Sequence, residues 1–141
     1  LKSIQIPPKA YADEEYFKLY LSDVGLLTSL LEIQYNDILL DNSFLYKGNI
    51  AENYVATQLV RNGLSLYYWK SNSDAEIDFI LYNEDGLIPI EVKASDNITS
   101  KSLNSYMKQY NPKYAIRISS KNFGFENNIK SVPLYAAFLI K

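Results

Sequence analysis

The pattern of hydrophobic and polar positions predicts a helix, three strands, a second helix and a fourth strand from residue 46 onward. Residues 46–62 show the apolar spacing of a helix and end at Asn62-Gly63, a typical C-terminal stop. An amphipathic helix is predicted over 99–110 from apolar residues at i, i+3, i+4 and i+7. Segments rich in strand-forming residues predict the four strands, over 64–70, 75–82, 87–94 and 113–119.

Turn and cap residues mark the ends of these elements. Residues 71–74 are predicted to form a polar turn, and 83–86 a hairpin turn that ends in Asp-Gly. Thr99 or Ser100 can cap the second helix, and Asn111-Pro112 stops it. A loop containing Gly124 then leads to an apolar element over 132–140, whose type the pattern leaves open.

Residues 1–45 are predicted to be a lead-in that packs on a core domain of residues 46–141. Its first part, residues 1–12, contains Pro7-Pro8 and is predicted to be an extended connector. Alternation within 16–23 predicts a short strand. Two short helices are then expected, the first capped by Asp23 and the second containing residues 38–40.

The composition excludes several kinds of chemistry. The 141 residues fit one domain, and a hydrophobic content of 48% is typical of a globular chain. With no cysteine and no histidine, the chain has no disulfide, no thiolate catalysis and no histidine-containing triad. Any metal would need oxygen ligands, so magnesium, manganese or calcium are the candidate ions.

Charge and hydropathy limit the partners. A net charge of −2 counts against a dedicated nucleic-acid binder, and no phosphate-binding P-loop motif occurs. No apolar run approaches the roughly 20 residues that cross a bilayer, and no signal peptide opens the chain, so we expect a cytoplasmic protein without a membrane partner. Because the chain begins at Leu1 without an initiator methionine, we expect a fragment of a larger protein.

The hairpin between the second and third strands carries the candidate chemistry. Period-two alternation predicts that Glu76 and Asp78 share one face of the second strand. The same rule places Glu91 and Lys93 on one face of the third strand, opposite its apolar residues Ile88, Ile90 and Val92. Two carboxylates and nearby carbonyls suit magnesium, and a lysine beside them could orient water or stabilise charge on a phosphate.

A fourth acidic residue, Glu52, lies on the first core helix. Its position at about 100° per residue puts it at the border of the apolar stripe formed by Ala51, Val55 and Leu59. A carboxylate there would be directed towards the strands. A favourable contact with the helix dipole explains the same position equally well.

The segment Ala75-Glu-Ile-Asp78-Phe-Ile, followed thirteen residues later by Glu91-Val-Lys93 and preceded by a glutamate-bearing helix, resembles the PD-(D/E)XK nuclease superfamily. The resemblance implies an α/β, restriction-endonuclease-like core, αβββαβ, with a mixed sheet flanked by helices. It also implies that Asp78, Glu91 and Glu52 hold Mg²⁺ or Mn²⁺, and that Lys93 is the catalytic lysine.

A closer resemblance covers nearly the whole chain. Its segments are Lys18–Leu27, Gly48–Tyr54, Leu66–Lys70 and Ile88–Ala94, in that order. Together they resemble an uncharacterised domain that follows AAA-type ATPase regions in bacterial and archaeal ATP-binding proteins. The resemblance implies that the ATPase region of the same parent chain is a partner, and that DNA is a candidate substrate.

Other readings remain open from the sequence. Alternating charge such as Glu76 is most often a solvated face, and the Asp78, Glu91 and Lys93 set could be a structural ion pair. Pro89 lies inside the third strand, where a central ladder would lose a hydrogen bond. Three functions therefore compete: metal-dependent DNA cleavage, a catalytically inactive recognition module for the ATPase, and a scaffold that joins ATPase subunits.

Overall fold

A mixed six-stranded sheet with helices on both faces forms the centre of the molecule. The structure is a computed structural model that describes residues 1–40, 46–71, 75–94 and 100–141. Within these residues the strands are β1 (Tyr67–Lys70), β2 (Glu76–Asn83), β3 (Gly86–Val92), β4 (Ala115–Ser119), β5 (Gly124–Glu126) and β6 (Ile129–Pro133). The α-helices are α1 (Val24–Leu30), α2 (Tyr35–Leu40), α3 (Lys47–Arg61) and α4 (Lys101–Tyr110). Two 3-10 helices span Pro8–Tyr11 and Leu134–Leu139.

The sheet runs in the order β1-β2-β3-β4-β6-β5. Its first half is an antiparallel meander of β1, β2 and β3. The chain then crosses over through α4, which lets β4 lie parallel to β3, and β6 lies parallel to β4. The antiparallel strand β5 closes the far edge. The protein is therefore an α/β fold. The antiparallel and parallel halves of its sheet meet between β3 and β4.

Each face of the sheet has its own hydrophobic core. The α3-side core packs α3 and the C-terminal 3-10 helix on the strands through residues such as Val55, Leu59, Phe79, Ile90 and Ala137. The α4-side core packs α4 on the other face through residues such as Ile77, Ile80, Leu103 and Tyr106. No helix in the described parts of the chain has the length and apolar character that a membrane span requires.

Most of the predicted helices and their caps are confirmed. Asp23 caps α1 by accepting a hydrogen bond from the N–H of Leu26 at 3.1 Å. Ser100 caps α4 in the same way through Leu103, whereas Thr99 lies outside the described residues. The order of α3, three strands, α4 and β4 is also as predicted. Residues 72–74 of the predicted turn and 41–45, where the predicted division between lead-in and core falls, lie outside the described residues.

Four predictions are wrong in part. The segment 16–23 forms no strand, and the connector over 1–12 contains the 3-10 helix Pro8–Tyr11. Gly124 begins β5 rather than lying in a loop. The apolar element over 132–140, whose type was left open, consists of the end of β6 and a 3-10 helix. In addition, β1 begins at Tyr67, three residues later than predicted.

The buried side chain of Asn53 on α3 explains why the lead-in needs no strand partner. Its Oδ1 accepts a hydrogen bond from the N–H of Leu21 at 2.8 Å, and its Nδ2 donates to the Leu21 carbonyl at 3.0 Å. This amide therefore satisfies both backbone groups of Leu21, as a neighbouring strand would. The ring of Tyr20 packs against Phe79, with centroids 5.7 Å apart, and so docks the segment on the core.

The position of Pro89 costs the sheet no ladder bond. Pro89 pairs with Ile80 across the hairpin, while the parallel pairing with β4 begins one residue later, at Ile90. In the alternation that starts at the Asn83–Gly86 turn, the nitrogen of residue 89 points away from β2. This nitrogen therefore points towards β4 at a position before the β3–β4 pairing begins, so the sheet loses no hydrogen bond from the missing N–H.

Replacing Asn53 with alanine should weaken the docking of the lead-in. The substitution leaves both backbone groups of Leu21 without their partner, so we expect the free energy of unfolding to fall by about 1–3 kcal/mol. Urea denaturation measures this loss, and tryptic cleavage after Lys18 should accelerate in the same variant. The exposed Asn49 on the same helix provides the control, since Asn49→Ala should change stability by no more than about 0.5 kcal/mol. Equal losses in the two variants would contradict this explanation of the docking.

Candidate functional site

An extra residue in β2 determines where Asp78 points. Tyr67 pairs with Ile80 and Trp69 with Ile77, so two steps along β1 match three steps along β2. This β-bulge breaks the strict alternation of the strand. As a result Ile77 lies in the α4-side core while Phe79 lies in the α3-side core. The carboxylate of Asp78 lies on the α3 side, where the charges of Glu52 and Lys18 act on it.

The carboxylate of Asp78 ends the ladder between β2 and β3. The last regular pair is Phe79 with Ile90, and the alternation of hydrogen bonds directs the next N–H, that of Val92, towards β2. Oδ2 of Asp78 accepts this N–H at 2.7 Å. Asp78 is therefore fixed against the backbone of β3 immediately after Glu91.

The surroundings of Asp78 favour its neutral form. Desolvation is the largest influence and raises the pKa of Asp78 to about 7, from an ordinary value of 3.8. The hydrogen bond from Val92 and the charge of Lys18 oppose this rise, whereas the charges of Glu52 and Glu91 add to it. A carboxylate in this position lacks sufficient positive charge to balance it.

Glu91 and Lys93 form a contact on β3 and the segment that follows it. Glu91 is buried, with 4% of its surface exposed, and its Oε1 lies 2.9 Å from Nζ of Lys93. The second oxygen, Oε2, is buried and accepts no hydrogen bond. A buried carboxylate oxygen without a donor is costly and uncommon. The cross-strand neighbour of Glu91 on β4 is Arg117, whose Nε is likewise buried without a hydrogen-bond partner.

Glu52 is held by the lead-in. Its Oε1 accepts hydrogen bonds from Nζ of Lys18 at 2.9 Å and from the hydroxyl of Tyr20 at 2.5 Å. Burial, together with this bond to Glu52, raises the pKa of Tyr20 well above its usual range, so the hydroxyl remains a donor. The prediction that Glu52 is directed towards the strands agrees with the effect of its charge on Asp78.

Lys18 also binds Glu76, whose Oε1 lies 2.5 Å from Nζ. Burial alone would lower the pKa of Lys18, but hydrogen bonds with Glu76 and Glu52 raise it on balance. The reading of Glu76 as part of a solvated face is therefore wrong, because this side chain is ion-paired and partly buried. Sequence reasoning missed Lys18 and Tyr20 as members of the site. The alternation of Lys18 and Tyr20 with Leu19 and Leu21 was the sequence pattern that could have identified them, but it was interpreted as a strand.

Two clefts open beside these residues. One, of about 240 Å³, reaches Asp78 and is lined by aromatic side chains that include Tyr16, Phe17 and Tyr68. The other, of about 530 Å³, is bordered by Lys93 and Lys47 together with apolar residues of α3 and the C-terminal 3-10 helix. Both the Asp78 side and the Lys93 side of the site are therefore accessible from solvent.

The donor set suits a hard cation only in part. Asp78 and Glu91 offer oxygen ligands, and Oε2 of Glu91 has no other partner. Among the described residues, however, no three acidic side chains converge into a group that could hold a metal ion. Oε1 of Glu52 is in addition already bound by Lys18 and Tyr20. Asp78 and Glu52 lie on the α3 side of the sheet, whereas the alternation of β3 directs Glu91 to the α4 side, because Ile90 and Val92 on either side of it pack in the α3-side core.

The core of the chain matches the model of a protein family. Residues 47–137 match the model of a family described as a domain of unknown function, DUF4143. The chain belongs to this family. The matched region begins with α3 and contains Glu52, Asp78, Glu91 and Lys93, whereas Lys18 and Tyr20 precede it. No curated protein and no solved structure matches the chain.

The raised pKa of Asp78 should make the DUF4143 domain less stable as the pH rises from 4 to 7. In this pH range Asp78 is ionised in the unfolded chain but still protonated in the folded state, so folding takes up a proton. The free energy of unfolding therefore falls as the pH rises. Because the side chain is partly exposed, we expect a fall of roughly 1–3 kcal/mol between pH 5 and pH 8. Asp78→Asn removes this contribution while retaining an acceptor for Val92.

Urea-unfolding midpoints at pH 5 and pH 8 measure the effect. Asp85→Asn is the matched control, since hydrogen bonding to Lys113 lowers the pKa of Asp85 and places its titration below this window. The Asp85 variant should keep the fall between pH 5 and pH 8, and the Asp78 variant should lose it. If the stability of the wild type and of the Asp78 variant changed equally between pH 5 and pH 8, the pKa of Asp78 would not be raised.

Proposed function

We propose that this DUF4143 domain is a restriction-endonuclease-like domain of the PD-(D/E)XK type that uses Mg²⁺ or Mn²⁺ to cleave DNA. Its partner in this proposal is an AAA-type ATPase region of the same parent chain. The observation that carries the proposal is the carboxylate of Asp78 at the end of the β2–β3 ladder, with Glu91 on the neighbouring strand. Asp78 has a raised pKa, and Glu91 has a buried oxygen without a donor.

A divalent cation would resolve the charge imbalance of these two groups. Burying ionised carboxylates is unfavourable unless positive charge or hydrogen bonds compensate. Asp78 and Glu91 would hold the ion, with Glu52 as the accessory acid once it is free of its present partners. Bound there, a divalent ion supplies Lewis-acid stabilisation of the charge that develops on a phosphate.

The position of Lys93 supports its proposed role as the catalytic lysine. Its side chain is 30% exposed, and its ammonium touches Glu91, so it lies at the boundary between the buried carboxylates and solvent. Such a group can orient a water molecule or stabilise negative charge on a phosphate oxygen. The cleft that it shares with Lys47 provides two ammonium groups for the DNA backbone, despite the net charge of −2.

The order of elements supports the restriction-endonuclease-like architecture. From α3 to β4 the chain runs αβββαβ, with the mixed junction between β3 and β4 beside the candidate site. β5 and β6 extend this core beyond β4. The ATPase partnership is supported by the sequence resemblance of the four segments between Lys18 and Ala94.

Replacing Lys93 with alanine should reduce metal-dependent DNA cleavage by at least about a hundredfold. The assay incubates the intact protein with single-stranded and double-stranded DNA in Mg²⁺ or Mn²⁺. Asp78→Ala should have a comparable effect, while Lys121→Ala, which removes an exposed lysine beyond β4, should cleave at the wild-type rate. Cleavage that survives both Lys93→Ala and Asp78→Ala would come from another protein and would sink the assignment.

A second function, a catalytically inactive recognition module for the ATPase, is favoured by the state of Glu52. Its Oε1 is bound by two donors of the chain itself, and the acidic cluster around it already contains the ammonium of Lys18. This alternative predicts that Lys93→Ala leaves the function of the parent protein intact. It also predicts that Mn²⁺ raises the melting temperature of wild type and Asp78→Asn equally, whereas the cleavage proposal predicts a rise in the wild type alone.

A further inference from the structure

The helix α1 is mostly apolar and yet buries none of its residues. Its sequence, Val-Gly-Leu-Leu-Thr-Ser-Leu, has four large apolar side chains in seven positions. At about 100° per residue, these four and the following Leu31 fall on one side of the helix. Such a face normally packs on another element. Here Val24 and Leu27 are only half-buried, while Leu26, Leu30 and Leu31 are 55%, 72% and 46% exposed.

A cleft of about 440 Å³ adjoins this apolar face. Leu27 lines the cleft from α1, and Leu19 and Leu21 line it from the lead-in. Leu19 is 85% exposed, so the lead-in adds to the uncovered apolar surface. Single exposed apolar residues are ordinary, but a group of them beside a cleft is typical of a protein interaction site.

The charges beside α1 are negative. Residues 19–46 contain no lysine or arginine, and they contain four acidic residues, Asp23, Glu32, Asp37 and Asp41. Asp23 precedes α1 and Glu32 follows Leu31, and both side chains are exposed. The next basic residue along the chain, Lys47, lines the separate cleft that Val24 borders. A partner that covers α1 would therefore meet an apolar face with a carboxylate at each end.

The cleft itself also contains more negative than positive charge. Glu52 and Glu76 line it and share one ammonium, that of Lys18. Both contacts use Oε1, and the second oxygen of each carboxylate has no hydrogen-bond partner among the described residues. These second oxygens can accept charge-assisted hydrogen bonds from a cationic side chain that enters the cleft.

We propose that α1 and the adjoining cleft are the docking surface for a basic amphipathic helix of a partner protein. The apolar face of that helix would cover Leu26 and Leu30, and its lysine or arginine side chains would reach the carboxylates of the cleft. Docking of an amphipathic helix through apolar anchors three and four residues apart is a common mode of recognition. Docking of this kind does not require that the domain cleaves DNA.

The acidic residues disfavour the other kinds of occupant. Nucleic acids and anionic lipid surfaces present phosphates, which the carboxylates of α1 and the cleft would repel. A second copy of the chain docked through the same surface would bring like charges together, and such contacts are unfavourable. The combination of exposed leucines and carboxylates therefore selects a partner that is both apolar and basic.

The test uses a fluorescein-labelled synthetic helix with leucines at i, i+3, i+4 and i+7 and lysines at the remaining positions. Its binding to the full chain is measured by fluorescence anisotropy at physiological ionic strength. A matched peptide with glutamates in place of the lysines tests the charge requirement. We expect the lysine peptide to bind with a dissociation constant in the micromolar range, and the glutamate peptide to bind at least about tenfold more weakly.

A double variant, Leu26→Gln with Leu30→Gln, removes the apolar anchors and retains residues that favour a helix. Phe123→Gln with Phe125→Gln is the matched control, because it removes two side chains that are 57% and 64% exposed at β5, away from α1. We expect the leucine variant to bind the lysine peptide at least about tenfold more weakly than wild type, and the control to bind like wild type.

Equal binding of the lysine peptide to wild type and to the leucine variant would place the contact elsewhere and overturn the inference. Equal binding of the two peptides to wild type would remove the preference for a basic partner and overturn it as well, as would the absence of binding. Light scattering adds one more outcome: a wild-type dimer that the leucine variant loses would make a second copy the occupant. Leu30→Gln alone replaces the double variant if that variant does not unfold cooperatively in urea, and the same outcomes apply to it.

Discussion

The extra residue in β2 is the constraint on which the candidate site depends. It allows Ile77 and Phe79 to enter opposite cores, and it leaves Asp78 on the α3 side of the sheet. The carboxylate then takes over the N–H of Val92, which a regular ladder would pair with a backbone carbonyl. The β-bulge thus ends the β2–β3 pairing and also directs the side chain of Asp78 to the α3 side.

Positive and negative charges are unevenly distributed around this point. Four carboxylates, those of Glu52, Glu76, Asp78 and Glu91, share two lysines, Lys18 and Lys93. Each lysine satisfies its nearest partners, but Asp78 still has a raised pKa and Oε2 of Glu91 still has no donor. On the α3 side the carboxylates of Glu52, Glu76 and Asp78 face the ammonium of Lys18, so negative charge exceeds positive charge there. Glu91 has Arg117 as its cross-strand neighbour, and the chain as a whole carries only −2.

Helices and caps were predictable because their causes are local. Asp23 and Ser100 cap their helices through contacts three residues away, and Gly63 and Asn111 end α3 and α4 with positive φ angles of 78° and 45°. The lead-in was misread because its alternation of Lys18, Tyr20 and their neighbours matches a strand. Its backbone partner is instead the side chain of Asn53, a residue 32 positions away from Leu21. No local pattern records such a contact.

By itself, the sequence determined the helices, the αβββαβ order and the hairpin turn. It also placed Glu52, Asp78, Glu91 and Lys93 on the elements of the core domain. Each follows from residue type and spacing, which act over a few residues. The tertiary structure alone decided the bulge at Asp78, the place of Pro89 just before the β4 ladder, and the engagement of Glu52 by Lys18 and Tyr20. These features depend on how separate segments pack and share charge, and such long-range contacts leave no periodic signal in the chain.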